Sequence, residues 1–226
     1  MQRREFTAGL LAGTGLTALP AWAAFLSETD AAAGVRAALE RGAASAVGLL
    51  GKTDGFLGNP KVRIPLPAAV EDAAKLAKAI GQQKRVDELI LAMNRAAEAA
   101  MPQAQEVLVS AVKSMSVEDA RKIIGGGDDS VTQFFAVKTR QPLSTSLLPI
   151  VTRETDKVAL ASKYNDLAGK AVGFGLLKKE DANIEQYVTG KALDGLYLMI
   201  GEEERKIRKD PVATGSAILK QVFGAR

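Results

Sequence analysis

Residues 184–208, IEQYVTGKALDGLYLMIGEEERKIR, carry the longest helical pattern in the chain, and the rest of the fold must be arranged around it. At about 100° per residue, Val188, Ala192, Leu193, Leu196, Tyr197, Ile200 and Ile207 share one broad face. Ile184, Tyr187 and Leu198 lie opposite, together with Lys191 and Asp194. A helix that is apolar nearly all round needs packing partners on both sides, so this one is predicted to be central. The run Glu202-Glu203-Glu204-Arg205-Lys206 interrupts the stripe, which predicts that the last turns leave the core. Asp210-Pro211 ends the helix, because the residue before a proline avoids the α region.

Upstream, the pattern is a series of helices separated by caps. Ser27 with Asp30 resembles a capping box, and Val35, Ala38, Leu39, Ala46, Leu49 and Leu50 keep helical spacing up to Gly51. Lys52 to Pro67, KTDGFLGNPKVRIPLP, cannot be helical, because Asp54-Gly55, Gly58, Asn59-Pro60, Pro65 and Pro67 break it repeatedly. It nevertheless carries Phe56, Leu57, Val62, Ile64 and Leu66, which predicts an ordered segment laid across the helices with Phe56 and Ile64 buried. Pro67 suits the first turn of the next helix and Gly81 stops it. The stripe from Val86 to Met101 is helical, with small residues at Ala96, Ala97 and Ala100 for close approach of a neighbour. Pro102 either opens a new helix or kinks the same one. Ser116 and Asp119 form a second capping-box pattern before Gly125-Gly126-Gly127. Asp128, Asp129 or Ser130 caps the following helix, and Pro142 predicts a break in it. A helix from near Thr155 through Tyr164, a connection over 169–181 and a closing helix over 213–223 complete the pattern. No run alternates long enough for a strand. The expected fold is all-α, a single compact domain of about eight or nine helices over residues 24–226 with one ordered Pro/Gly-rich apolar loop.

The first residues address the compartment. Arg3 and Arg4 precede an apolar stretch from Phe6 to Leu19, then Pro20 and the small-residue site Ala21-Trp22-Ala23, the layout of a cleaved signal peptide over residues 1–23. The paired arginines and the glycines at 9, 13 and 15 favour a twin-arginine signal over an ordinary one. The apolar stretch is too short to cross a bilayer, so no transmembrane segment is expected. The predicted location is the periplasm.

Composition removes most chemistries. The chain has 30 basic and 26 acidic residues; the signal takes two arginines and one glutamate, leaving 28 and 25, a net charge of +3. That balance, with no basic run interleaved with aromatics, argues against a nucleic-acid partner. With no cysteine and no histidine, disulfides, thiol nucleophiles, imidazole bases and the usual zinc and copper sites are excluded. No metal or cofactor is expected.

Three stretches also carry a likeness. Asp54-Gly55-Phe56-Leu57-Gly58-Asn59-Pro60 with Val62-Arg63-Ile64-Pro65-Leu66-Pro67 is followed by Met93-Asn94-Arg95-Ala96-Ala97-Glu98. Then come Tyr187-Val188-Thr189, Lys191-Ala192-Leu193-Asp194-Gly195-Leu196, Glu202-Glu203-Glu204 and Ile207-Arg208. Together they resemble an exported bacterial family catalogued as domain of unknown function 4197. The resemblance implies an exported helical protein and brings no activity, ligand or catalytic residue. The chain departs from it at Gly201, where alanine is expected, and in having no lipid-anchor cysteine.

Three constellations remain for chemistry. Tyr187, Lys191 and Asp194 share a face of the central helix; buried there, Lys191 and Asp194 are expected to pair, with Arg63 completing the group, either as a structural pair or as a holder of an anion. Asn94, Arg95 and Glu98, with Arg63, offer a candidate general acid in Glu98, against the plainer reading of Arg95 and Glu98 as a surface pair. Gly125 to Ser130 has the form of a phosphate cradle, but Asp128 and Asp129 would repel phosphate, and a capped flexible link is favoured. The function expected is a non-enzymatic envelope component binding a partner protein or small ligand; the alternative is a carboxylate-based enzyme cleaving cell-wall glycan.

Overall fold

The computed structural model describes residues 28–157, 161, 164, 165 and 183–210. Among the described residues the chain is all-helical, with α1 (Glu28–Leu50), α2 (Ala68–Ala79), α3 (Gln83–Lys113), α4 (Val117–Gly125), α5 (Ser130–Thr155) and α6 (Ile184–Lys209). They enclose one hydrophobic core. The signal peptide, the Ser27 cap, the connection over 169–181 and the closing helix over 213–223 lie outside the described residues, as does most of the stretch after Thr155.

Among the described residues the six helices do not match the expected eight or nine. Pro102 lies inside α3, and Pro142 and Pro149 lie inside α5. A proline removes one backbone hydrogen bond, and all three rings face solvent, where the freed carbonyl can be hydrated. The opposite faces hold the helices together: Met101, Ala104 and Leu108 on α3, and Leu143, Leu147 and Val151 on α5, are fully buried. α5 also bends its hydroxyls back to carbonyls one turn earlier, from Thr139 to Phe135, Thr145 to Gln141, Thr152 to Leu148 and Thr155 to Val151. Among the described residues the longest helix is therefore α3, with 31 residues, rather than α6, with 26.

α6 is central as expected, packing on α5, α1 and α3, while α3 also packs on α5 and α1. The small residues Ala96, Ala97, Ala100 and Ala104 are all completely buried in α3, where they let neighbours approach closely. Ser116 and Asp119 form the expected capping box: the Asp119 backbone N–H donates to the Ser116 hydroxyl at 3.0 Å, and the Ser116 N–H donates to the Asp119 carboxylate at 3.1 Å. That backbone donor holds the Asp119 carboxyl below its ordinary pKa.

The segment between α1 and α2 is folded into the core, as its apolar content predicts. Phe56, Val62, Ile64 and Leu66 are buried, with Phe56 at 0% exposure. From Lys61 to Leu66 exposure alternates, with Val62, Ile64 and Leu66 inward and Lys61, Arg63 and Pro65 outward; Lys61 and Val62 close a turn in which the Val62 and Arg63 N–H groups donate to the Asn59 carbonyl, and from Arg63 the chain runs extended. It lies along α6 where Gly195 leaves room: a Cβ there would come within 2.8 Å of the Phe56 ring and 3.3 Å of Val62.

Candidate functional site

Asn94, Arg95 and Glu98 lie within little more than one turn of α3 facing the segment between α1 and α2, and the structure brings all three together as its clamp. The Asn94 carboxamide pairs with both backbone groups of Ile64, accepting from its N–H at 2.9 Å and donating to its C=O at 2.9 Å. Its amide also donates to the Ile90 carbonyl at 2.8 Å. Asn94 thus substitutes for the strand partner that an extended chain in an all-helical protein lacks. Glu98 Oε1 accepts from the backbone N–H groups of Phe56 and Leu57 at 3.0 and 3.2 Å, and Oε2 accepts from Arg95 at 2.6 Å. Arg95 continues to Asp54 at 2.8 Å, the one non-glycine residue with positive φ among those described. The Glu98 side chain is only 5% exposed. This pair is more deeply set than a surface pair, and both carboxylate oxygens face donors of the chain itself.

Arg63 does not join this group. It is exposed and lines an open hollow of ≈ 300 Å³ with Pro65, Leu66, Glu71, Ala74, Lys75 and Ile90.

The expectation for Tyr187, Lys191 and Asp194 is corrected. Lys191 and Asp194 are not a buried pair: Asp194 is 52% exposed at its side chain and binds Arg140 of α5 at 2.7 Å. Lys191 stands 5.8 Å from the centre of the Tyr187 ring, and Tyr187 donates its hydroxyl to the Pro65 carbonyl at 3.2 Å. The extended segment covers α6 around Tyr187 and Gly195 but leaves Lys191, Asp194 and Leu198 in solvent. Below the Arg140–Asp194 pair, the Tyr197 hydroxyl meets that of Thr139 at 3.0 Å, and burial raises the Tyr197 pKa above its ordinary 10.0.

Two buried carboxylates escaped the sequence reading. Past Ile200 the apolar core of α6 ends and Arg205, Lys206 and Lys209 are exposed, as expected, but Glu204 turns inward to the first turn of α5. It accepts from the backbone N–H groups of Val131 and Thr132 at 3.0 and 3.2 Å and from Arg208 at 2.9 Å. Arg208 reaches on to the Ile123 carbonyl near the end of α4 at 2.9 Å. Asp129 occupies the N-cap position of α5 but makes no side-chain cap bond. The positive end of α5, where a phosphate would sit, is thus filled by an internal carboxylate. The second is Glu185 in the first turn of α6, whose oxygens both accept from the Asn165 amide at 3.0 Å. Both glutamates keep step with the buried stripe, Glu185 with Val188 and Ala192, Glu204 with Ile200 and Tyr197. That register is the signal by which they could have been found.

Among the described residues no cluster of acidic side chains is able to hold a metal ion, and no helix is long and apolar enough to cross a membrane. The family model for proteins of unknown function (DUF4197) matches residues 25–224. The chain belongs to this family. The match spans every described helix of the DUF4197 fold. No curated protein and no solved structure matches the chain.

Proposed function

We propose that this DUF4197 protein is a non-enzymatic component of the cell envelope, exported to the periplasm, where it binds a partner protein or a small ligand. The observation that carries this reading is the state of Glu98. A general acid must present a proton to its substrate, whereas Glu98 spends both oxygens on Phe56, Leu57 and Arg95. Without histidine or cysteine to replace it, the glycan-cleaving alternative loses its leading candidate. Export rests on Arg3-Arg4, the apolar stretch and Ala21-Trp22-Ala23.

Purified protein mixed with cell-wall sacculi tests the chemistry. The expected result is no release of soluble muropeptides, and their release would overturn the non-enzymatic reading. For export, terminal sequencing of periplasmic protein should place the mature start within a residue or two of Ala24. Replacing Arg3 and Arg4 together by lysine should hold the protein in the cytoplasm; normal export of that variant would exclude the twin-arginine route.

A further inference from the structure

Glu185 is the buried carboxylate that the fold leaves incompletely used. It is 5% exposed, yet among the described residues no lysine or arginine pairs with it; its partner is the single amide nitrogen of Asn165. Glu98 and Glu204 show the contrary arrangement, each with an arginine within one turn and backbone donors besides. A carboxylate has about four acceptor positions, so Glu185 keeps capacity that burial makes costly to waste.

It lines an open hollow of ≈ 300 Å³ between α5 and the start of α6, together with Leu148, Thr152, Asn165, Asn183 and Gln186. Among the described residues the wall is three amides, one hydroxyl and one carboxylate, with Leu148 as its apolar member and neither a cation nor an aromatic ring. Part of this set is committed. Asn165 Oδ1 accepts the Ile184 N–H at 2.9 Å, Asn183 Oδ1 accepts the Gln186 N–H at 2.8 Å, and the Thr152 hydroxyl donates to the Leu148 carbonyl at 2.9 Å. Left uncommitted on these lining residues are the remaining acceptor positions of the Glu185 carboxylate and the Thr152 oxygen, the Asn183 Nδ2 as donor, and the exposed Gln186 amide as both. Donors and acceptors interleaved within one small space match a ligand whose groups are each both, which means hydroxyls. The negative Glu185 repels an anion.

We propose that this hollow binds a neutral sugar unit through its hydroxyl groups, with Glu185 and Gln186 as the principal contacts. The inference rests on the binding function proposed above and names its ligand class. Titrating the purified, isotope-labelled protein with N,N′-diacetylchitobiose and with maltose, and recording amide spectra, tests it directly. At least one sugar should give saturable shifts at Thr152, Asn183, Glu185 and Gln186. Glu185→Gln and Gln186→Ala should each weaken that binding at least tenfold while leaving the spectrum elsewhere unchanged; sodium glucuronate should bind at least tenfold more weakly than the neutral sugar. Absence of saturable shifts with both sugars, or equal binding in both variants, would overturn the proposal. Either result leaves the non-enzymatic reading standing, since that falls only on muropeptide release.

Discussion

The two ends of α6 each bury a glutamate, and they are treated differently. At the C-terminal end Glu204 gathers two backbone N–H groups of α5 and the Arg208 guanidinium, which is itself 12% exposed and tied to the end of α4. Three helices meet on one carboxylate whose charge is compensated. At the N-terminal end Glu185 meets one neutral amide and an open hollow. The clamp at Glu98 belongs with Glu204, since each carboxylate is met by an arginine and by two backbone N–H groups. A buried charge is tolerated when it is paired and hydrogen-bonded, so Glu98 and Glu204 read as joints of the fold. Glu185 is the place where the same economy is left unfinished.

The largest effect that would sharpen this contrast lies in the segment held by the Glu98 joint. Phe56 is completely buried, so Phe56→Ala is expected to cost about 3 to 5 kcal/mol by urea unfolding. A cost below about 1 kcal/mol would mean that the clamp holds a segment the core does not need. Next, Glu98→Gln keeps the shape and an oxygen for the Phe56 and Leu57 N–H groups but turns an amide N–H₂ toward Arg95, which is left with Asp54 alone, an expected loss of about 1 to 3 kcal/mol. No change in the denaturation midpoint would break the likeness between Glu98 and Glu204. Smaller still is the effect of alkali on the Tyr197 hydroxyl beside Thr139. Its folded pKa is raised by burial, so its contribution to stability is complete below 10.0 and is lost as pH rises through the folded value. Unfolding followed between pH 9 and pH 11 should show that loss, and Tyr197→Phe should flatten the profile. The least effect belongs to the solvated face: Asp194→Ala breaks only an exposed pair with Arg140 and should cost under about 0.5 kcal/mol. A loss of several kcal/mol would return Lys191 and Asp194 to the core.

How much could be read from sequence follows from these residues. Helical class, the Ser116–Asp119 box, the small face of α3 and the buried Pro/Gly-rich segment follow from local spacing and apolar content, both properties of contiguous residues. Prolines at 102, 142 and 149 were harder, because whether a helix survives a lost hydrogen bond depends on which face meets water. Asp194 was misplaced for a related reason: periodicity defines the faces of α6 but not how far a neighbouring segment extends over one of them. Glu98 and Asn94 were visible as candidates, but their role depends on the backbone of residues 56–64, some 30 to 42 positions away in sequence. Glu185 and Glu204 were hidden by the habit of assigning charged residues to solvent, although their register placed them inside.

The central claim is that the two ends of α6 carry different kinds of buried carboxylate. Urea unfolding of Glu204→Gln and Glu185→Gln in parallel measures it. Glu204→Gln strands Arg208 in a buried position and should lose about 3 kcal/mol. Glu185→Gln removes a charge with no cationic partner among the described residues, keeps an acceptor for Asn165 and should lose under about 1 kcal/mol. Equal losses in the two variants, or a greater loss at Glu185, would contradict the account.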